Sequence, residues 1–106
     1  MSEEDLDIKF LSRELQHSEY DWANILHGSD MVGKARCLIN GKTMIIYSIT
    51  IFPEFEGNGY GKRFVEFAKK SFDIVIADRV RSEAIGFWEK MGFVNNNDGN
   101  WVYNKS

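Results

Sequence analysis

Apolar and polar residues alternate through the first half of the chain, then give way to apolar residues spaced three and four apart. Alternation marks strands on a half-buried sheet, and the wider spacing marks helices with one apolar face. Residues 1–7 are acidic and fray at their start, after which Ile8, Phe10 and Ser12 alternate as a first strand. Residues 13–27 admit two readings. Ser18 can cap a short helix through Leu26, whereas Tyr20, Trp22, Asn24 and Leu26 alternate as a strand, which is the favoured reading. A Gly28-Ser29-Asp30 turn follows. Residues 31–39 then form a strand, Asn40-Gly41 is the strongest hairpin signal, and residues 43–52 are the β-branched and aromatic partner strand.

Pro53, the only proline, cannot donate to a ladder, so it closes that strand and releases the chain into a loop. Helix is predicted over residues 59–72, with Tyr60, Phe64, Phe67, Ala68 and Phe72 inward and Lys62, Arg63, Glu66, Lys69 and Lys70 outward. Lys69 and Lys70 suit the negative C-terminal end. Asp73 introduces Ile74, Val75, Ile76 and Ala77, a continuous apolar run typical of a strand buried on both faces. Strand, helix and buried strand make a parallel unit with a right-handed crossover. Ser82 is placed as the N-cap of a second helix whose Ala84, Phe87, Trp88 and Met91 face the core, with Gly92 as the left-handed cap residue. Phe93-Val94 and residues 101–103 complete a last hairpin around residues 95–100. The fold class is therefore α/β (α+β): a mixed, mostly antiparallel sheet with a central parallel β-α-β unit.

Composition narrows the picture modestly. A chain of 106 residues, 43% apolar and 14% aromatic, buries one core and is short for two domains, so one domain over residues 1–106 is expected. Its net charge of -3 argues against a nucleic-acid partner, which favours a basic face. No signal peptide or membrane-length apolar run is visible, so no membrane partner is expected. The single cysteine, Cys37, has no internal disulfide partner, and the expected compartment is the cytoplasm. Cys37 on a strand reads as a small buried hydrophobe. Neither His17 nor His27 has a partner at catalytic or metal-ligand spacing, so no metal is expected.

The chemistry concentrates where the central strand meets the first long helix. Gly57, Asn58, Gly59, Tyr60, Gly61, Lys62 and Arg63 form a glycine-rich turn opening a helix, with two cations at its start. Glycines let the backbone turn tightly around a ligand, while the unpaired N–H groups and dipole of the helix start favour an anion. A nucleotide P-loop needs four residues before its Gly-Lys pair and a Ser or Thr after it; here three intervene and Arg63 follows. A dinucleotide fingerprint fails as well, because Lys62 occupies its third glycine position.

Beyond the loop, Ala84-Ile85-Gly86-Phe87-Trp88-Glu89-Lys90-Met91-Gly92-Phe93 resembles the A-I-x-F-[YW]-E-K-x-G-F signature of the GCN5-related N-acetyltransferases, the GNAT superfamily. The glycine loop resembles that superfamily's [RQ]-x-x-G-x-[GA] acetyl-CoA motif, with Gly59 and Gly61 on its two glycine positions. The resemblance covers residues 31–104 and leaves residues 1–30 unmatched. It implies an abbreviated GNAT fold, with the two helices that usually follow the first strand reduced to a single turn or absent. Since those helices commonly form one wall of the acceptor site, the acceptor pocket is expected to be more open.

By the same resemblance, the strand before the loop and the buried strand after the helix splay apart to admit the pantetheine arm of acetyl-CoA. Ile49, Ile51 and Phe52 would flank that arm, the loop amides from Gly57 to Lys62 would hold the pyrophosphate with Lys62 and Arg63 adding positive charge, and Ser82, Phe87 and Trp88 would line the far side. The backbone N–H of Ile51, or of a neighbour, would bind the thioester carbonyl, where negative charge develops as an amine attacks. Two departures bear on catalysis. The thiolate-protonating tyrosine of the second helix falls on Trp88, whose indole N–H donates a hydrogen bond but does not cycle a proton at neutral pH. Glu56 stands where Arg or Gln usually assists, and a carboxylate about 6 Å from one phosphate charge costs about 2 to 3 kcal/mol at an effective dielectric near 20. It must therefore point away, or binding weakens. Arg81 stands where the motif has Asn and either meets the phosphates or lies on the surface. Glu54 or Glu56 is the candidate base through water, and Tyr47 and Tyr60 are alternative proton carriers or packing residues. The expected function is acetyl transfer to an amine of a small molecule or protein, with acetyl-CoA as co-substrate, by a monomer or homodimer. The alternative is a non-catalytic relative that binds CoA or a protein partner.

Overall fold

A computed structural model describes residues 6–105. Most of the acidic opening stretch, residues 1–5, lies outside the described residues. The elements are β1 (Leu6–Leu11), α1 (Arg13–Gln16), β2 (Asp21–His27), β3 (Asp30–Asn40), β4 (Thr43–Ile51), α2 (Tyr60–Ser71), β5 (Ile74–Ala77), α3 (Ile85–Lys90), β6 (Val94–Asn95) and β7 (Trp101–Asn104). Seven strands form one sheet in the order β1-β2-β3-β4-β5-β7-β6. Every neighbouring pair is antiparallel except β4 and β5, which run parallel and are joined by α2. This is the mixed sheet with a central parallel unit that the hydrophobic pattern predicts.

The ambiguous stretch resolves as one helical turn followed by a strand. Ser12 caps α1 by accepting from Leu15 N–H at 3.2 Å, and His17 ends it in the left-handed region. In β2 the buried side chains are Asp21, Ala23 and Ile25, so the aromatic phase containing Trp22 lies on the opposite, half-buried face. The β3–β4 turn is displaced by one residue. Asn40 pairs with Thr43, leaving Gly41 and Lys42 as the loop. Gly41 takes φ 61° at the first central position, as a type II′ turn requires.

Two right-handed crossovers that advance in the same direction across a sheet place their helices on one face. Accordingly α2 and α3 lie side by side: Lys69 Nζ donates to the Met91 carbonyl at 2.7 Å and sits 4.6 Å from the Tyr103 ring centroid. They cover the face that carries Ile25, Ala35, Cys37, Met44, Val75 and Trp101, against Phe64, Val65 and Ala68 of α2. Among the described residues no helix covers the opposite face, where Trp22, Leu26, Leu38, Ile45 and Ile76 remain half-buried.

The second helix corrects two expectations. A 3-10 turn at Ser82–Ala84 precedes α3, and Ser82 makes no side-chain cap; α3 follows directly from Ala84. The preceding turn already supplies the geometry that an N-cap side chain would otherwise stabilise. Phe87, expected in the core, is 36% exposed, because α3 runs only six residues and its inward stripe narrows to Trp88, with Met91 at its end.

At the start of β2, Asp21 ties that strand to α1 and β3. This carboxylate, 5% exposed, accepts from Arg13 N–H (2.6 Å), Arg13 Nη1 (2.9 Å) and Ile39 N–H (2.8 Å). Beside it, the buried Cys37 thiol donates to the Asp21 backbone carbonyl at 3.6 Å. Burial, and then the Asp21 charge, push that thiol from 9.0 up to about 12. The unfolded chain releases this proton near pH 9 while the folded chain holds it, so Cys37 contributes stability below that pH and loses it as pH rises toward 12. Denaturant melts between these limits should lose about 1.4 kcal/mol per pH unit from this group. A Cys37→Ala variant should lack that component, and an unchanged slope would refute the assignment.

Candidate functional site

β4 pairs with β5 only from Thr43 to Ile46, and the last bond between them runs from Asp78 N–H to the Ile46 carbonyl at 2.9 Å. Immediately beyond, Tyr47 is an extra residue opposite the Arg36–Cys37 step of β3, a β-bulge that bends β4 away from β5. Residues 48–51 thereafter pair with β3 alone, and a cleft of ≈ 590 Å³ opens at the divergence.

The hydrogen-bond phase of β4 follows from one contact. Phe52 N–H donates to the Val32 carbonyl at 2.9 Å, so Phe52 and Val32 form a hydrogen-bonded pair. Antiparallel pairs alternate, so Ile51 and Ile49 direct their N–H and C=O groups away from β3 and into the cleft. The gap is thereby edged by unpaired backbone groups of the kind that accept an added extended chain.

The glycine loop follows at the end of this strand. Pro53–Phe55 forms a 3-10 turn, and Gly57 and Gly59 adopt φ of 85° and 79°, a region closed to most side chains. The Asn58 side-chain amide donates to the Phe55 carbonyl at 3.1 Å and braces the loop. Arg63 N–H bonds to the Gly59 carbonyl, whereas among the described residues no backbone N–H from Gly57 to Lys62 has a protein partner. A cluster of free amides at a helix start suits an anion such as a pyrophosphate.

Of the residues singled out from sequence, Ile49, Ile51, Gly61, Arg81, Phe87 and Trp88 line the cleft. Phe52, Gly57, Asn58, Gly59, Tyr60, Lys62 and Arg63 lie along the continuation of β4 into α2, outside the lining itself. Ser82, Glu54 and Glu56 are exposed and also outside it. Trp88 is 8% exposed, with Phe87 edge-on at 5.0 Å and Phe93 at 4.8 Å between ring centroids. Tyr47 lines the cleft and meets the Tyr20 ring edge-on at 5.1 Å.

Sequence reasoning missed two features. His27, for which sequence spacing offered no catalytic or metal-ligand partner, places Nδ1 2.8 Å from the Tyr60 hydroxyl across 33 residues of chain, tying the end of β2 to the first residue of α2. Arg36 and Ser48 line the cleft together, and only the strand register brings them opposite each other. Among the described residues no helix is long and apolar enough to cross a membrane.

Comparison with known proteins follows the same lines. Residues 20–95 match the family model described as an acetyltransferase (GNAT) domain. An uncharacterized N-acetyltransferase of Oceanobacillus iheyensis is 39% identical over 51 residues, which is 48% of this chain and 31% of that relative. The chain thus matches about a third of the length of that relative. Among solved structures, the Bacillus subtilis N-acetyltransferase YlbP in complex with coenzyme A superimposes with TM-score 0.61 at 21% identity, covering 87% of this chain and 76% of YlbP. A mutant AtaT toxin bound to the C-terminus of the antitoxin AtaR and acetyl-CoA gives TM-score 0.68 at 13% identity, covering 95% of this chain and 94% of AtaT. At these identities the structures show a common fold.

Proposed function

Because the chain belongs to the acetyltransferase (GNAT) domain family, we propose that its residues 1–106 form one domain that transfers acetyl from acetyl-CoA to an amine in the cytoplasm. The observation that carries this reading is the parting of β4 from β5 after Ile46, with the Ile49 and Ile51 amides turned into the gap. Coenzyme A and acetyl-CoA in the YlbP and AtaT complexes support the choice of co-substrate.

The residues divide the work. Amides of Gly57 to Lys62, with Lys62 and Arg63 adding positive charge, hold the pyrophosphate. Ile49, Ile51 and Phe52 align the pantetheine arm as an added strand. The Ile51 N–H stabilises charge developing on the thioester oxygen as the amine nitrogen bonds to the carbonyl carbon and the carbon–sulfur bond breaks. The proton lost by the amine passes to water, with Glu54 as the loop carboxylate that receives it. Solvent returns a proton to the departing thiolate. Most of the acceleration comes from alignment, since a neutral amine held against a thioester reacts without a covalent enzyme intermediate.

Trp88 serves as the apolar wall against which the thioester end lies, and its hydrogen-bonding N–H is not a proton source. Release of free thiol, followed with a panel of amines, tests the enzyme reading. Trp88→Phe should slow turnover by less than about tenfold, below the range for removing a general acid. A larger fall together with loss of one limb of the pH profile would assign proton transfer to Trp88. If acetyl-CoA binds and no amine yields thiol, the alternative holds, a CoA-binding or protein-interaction module; the fully packed, non-titrating Trp88 is the feature that favours it.

A further inference from the structure

The cleft is lined by residues from both faces of the sheet. Ile49, Ile51, Phe87 and Trp88 line it on the side of the helices, whereas Arg36 and Ser48 belong to the opposite sheet face. Arg36 pairs with Trp22 on one side and Ser48 on the other, so its side chain leaves the sheet on the face that no helix covers among the described residues. Two reactants can therefore enter from opposite sides and meet at the gap.

Arg36 is held on this uncovered face in an unusual state. Its guanidinium carbon lies 4.8 Å from the Tyr20 ring centroid, and Tyr20 in turn packs edge-on against Tyr47. The Arg36 Nε is shielded from solvent and, among the described residues, has no hydrogen-bond partner. A dry, unpaired donor on a permanently charged group is costly unless something else supplies an acceptor. Contrast Arg13, whose guanidinium is used on Asp21 and the Ile39 carbonyl. The other arginines lining the cleft, Arg79 and Arg81, are both exposed, and Arg79 sits 3.5 Å from Asp78. Arg36 is thus a cleft-lining cation without an ion pair among the described residues, and a carboxylate in the cleft would meet its guanidinium from the side away from the shielded Nε.

Building on the acetyl-transfer reading, we propose that Arg36 binds a carboxylate of the acceptor, and that the acceptors are amines carrying a carboxylate several bonds from the reacting nitrogen. The fork of a guanidinium matches a carboxylate in plane and spacing. Separation follows from register: Ser48, opposite Arg36, is three residues from Ile51, about 10 Å along a strand. An α-amine beside its carboxylate does not span that distance, whereas an amine at the end of a short alkyl chain does.

The test measures binding to CoA-saturated protein by calorimetry and needs no turnover. The probes are 6-aminohexanoate, 6-aminohexanamide, glycine and 4-aminobutyl phosphate. Binding of 6-aminohexanoate should be about ten- to a hundredfold tighter than that of its amide, and tighter than that of glycine. Arg36→Met should erase the preference over the amide, and Arg36→Lys should retain part of it. The melting shift with acetyl-CoA serves as the fold control for both variants. Equal binding of acid and amide, or no binding of either, overturns the assignment of Arg36. Glycine binding as tightly as the longer acid overturns the spacing, and tighter binding of the phosphate makes the recognised group a phosphate. Failure of CoA itself to bind would instead strike the acetyl-transfer reading.

Discussion

Replacing Gly59 with valine is expected to abolish stabilisation by acetyl-CoA while leaving the sheet folded. Gly59 sits at φ 79° as the N-cap of α2, and a β-branched side chain there forces the backbone out of the left-handed region. Open space surrounds the position, so the effect is conformational and not a clash. The loop amides then no longer converge. Each charge-assisted bond to the pyrophosphate is worth about 1.5–3 kcal/mol, so losing two weakens affinity by roughly a hundredfold or more. Gly59→Asn is the informative partner, because asparagine tolerates the left-handed region and should keep most of the affinity. Melting curves with and without acetyl-CoA read both variants. Equal stabilisation of the valine variant and the parent would remove the loop from the binding site.

The second large effect concerns stability. Asp21→Ala should destabilise the fold by about 2–4 kcal/mol, since it strands the Ile39 and Arg13 N–H groups and the Arg13 guanidinium around a vacated buried site. Arg13 is 39% exposed and can reach water, which keeps the loss below that of a fully buried pair. For a chain of this size the melting temperature falls by roughly 10–25 °C. Asp78→Ala, which removes the partner of the exposed Arg79, should change stability by no more than about 0.5 kcal/mol. Comparable losses in the two variants would contradict the role given to Asp21.

Sequence made the central unit legible because its signals are local. The apolar run at residues 74–77, the helical spacing from Tyr60 to Phe72 and the loop glycines each report within a few residues, and β5, α2 and the loop lie where those patterns put them. Alternation likewise reveals β2 but not which phase faces the helices. The larger aromatic phase, with Trp22, lies on the open face, because the core against α2 takes the smaller Ala23 and Ile25. Turn chemistry misplaced the β3–β4 loop by one residue, where strand pairing extends through Asn40. Ser82 looked like a cap because serine favours that position, yet the chain enters α3 through a 3-10 turn instead.

The site was half legible for the same reason. Gly61, Ile49 and Ile51 belong to motifs contiguous in sequence. Arg36 and the contact between His27 and Tyr60 depend on register and on a bulge at Tyr47 that no local pattern announces. Among the described residues no helix covers the sheet face that carries Arg36, and there this strand residue lines the cleft.

The account rests on free loop amides and parted strands acting together on one ligand. A thermal melt of the unmodified protein at acetyl-CoA about a hundred times its dissociation constant tests that most directly. The expected gain is about 2.7 kcal/mol, a rise of roughly ten degrees or more for a domain of this size. A melting curve that does not move at any acetyl-CoA concentration would contradict it.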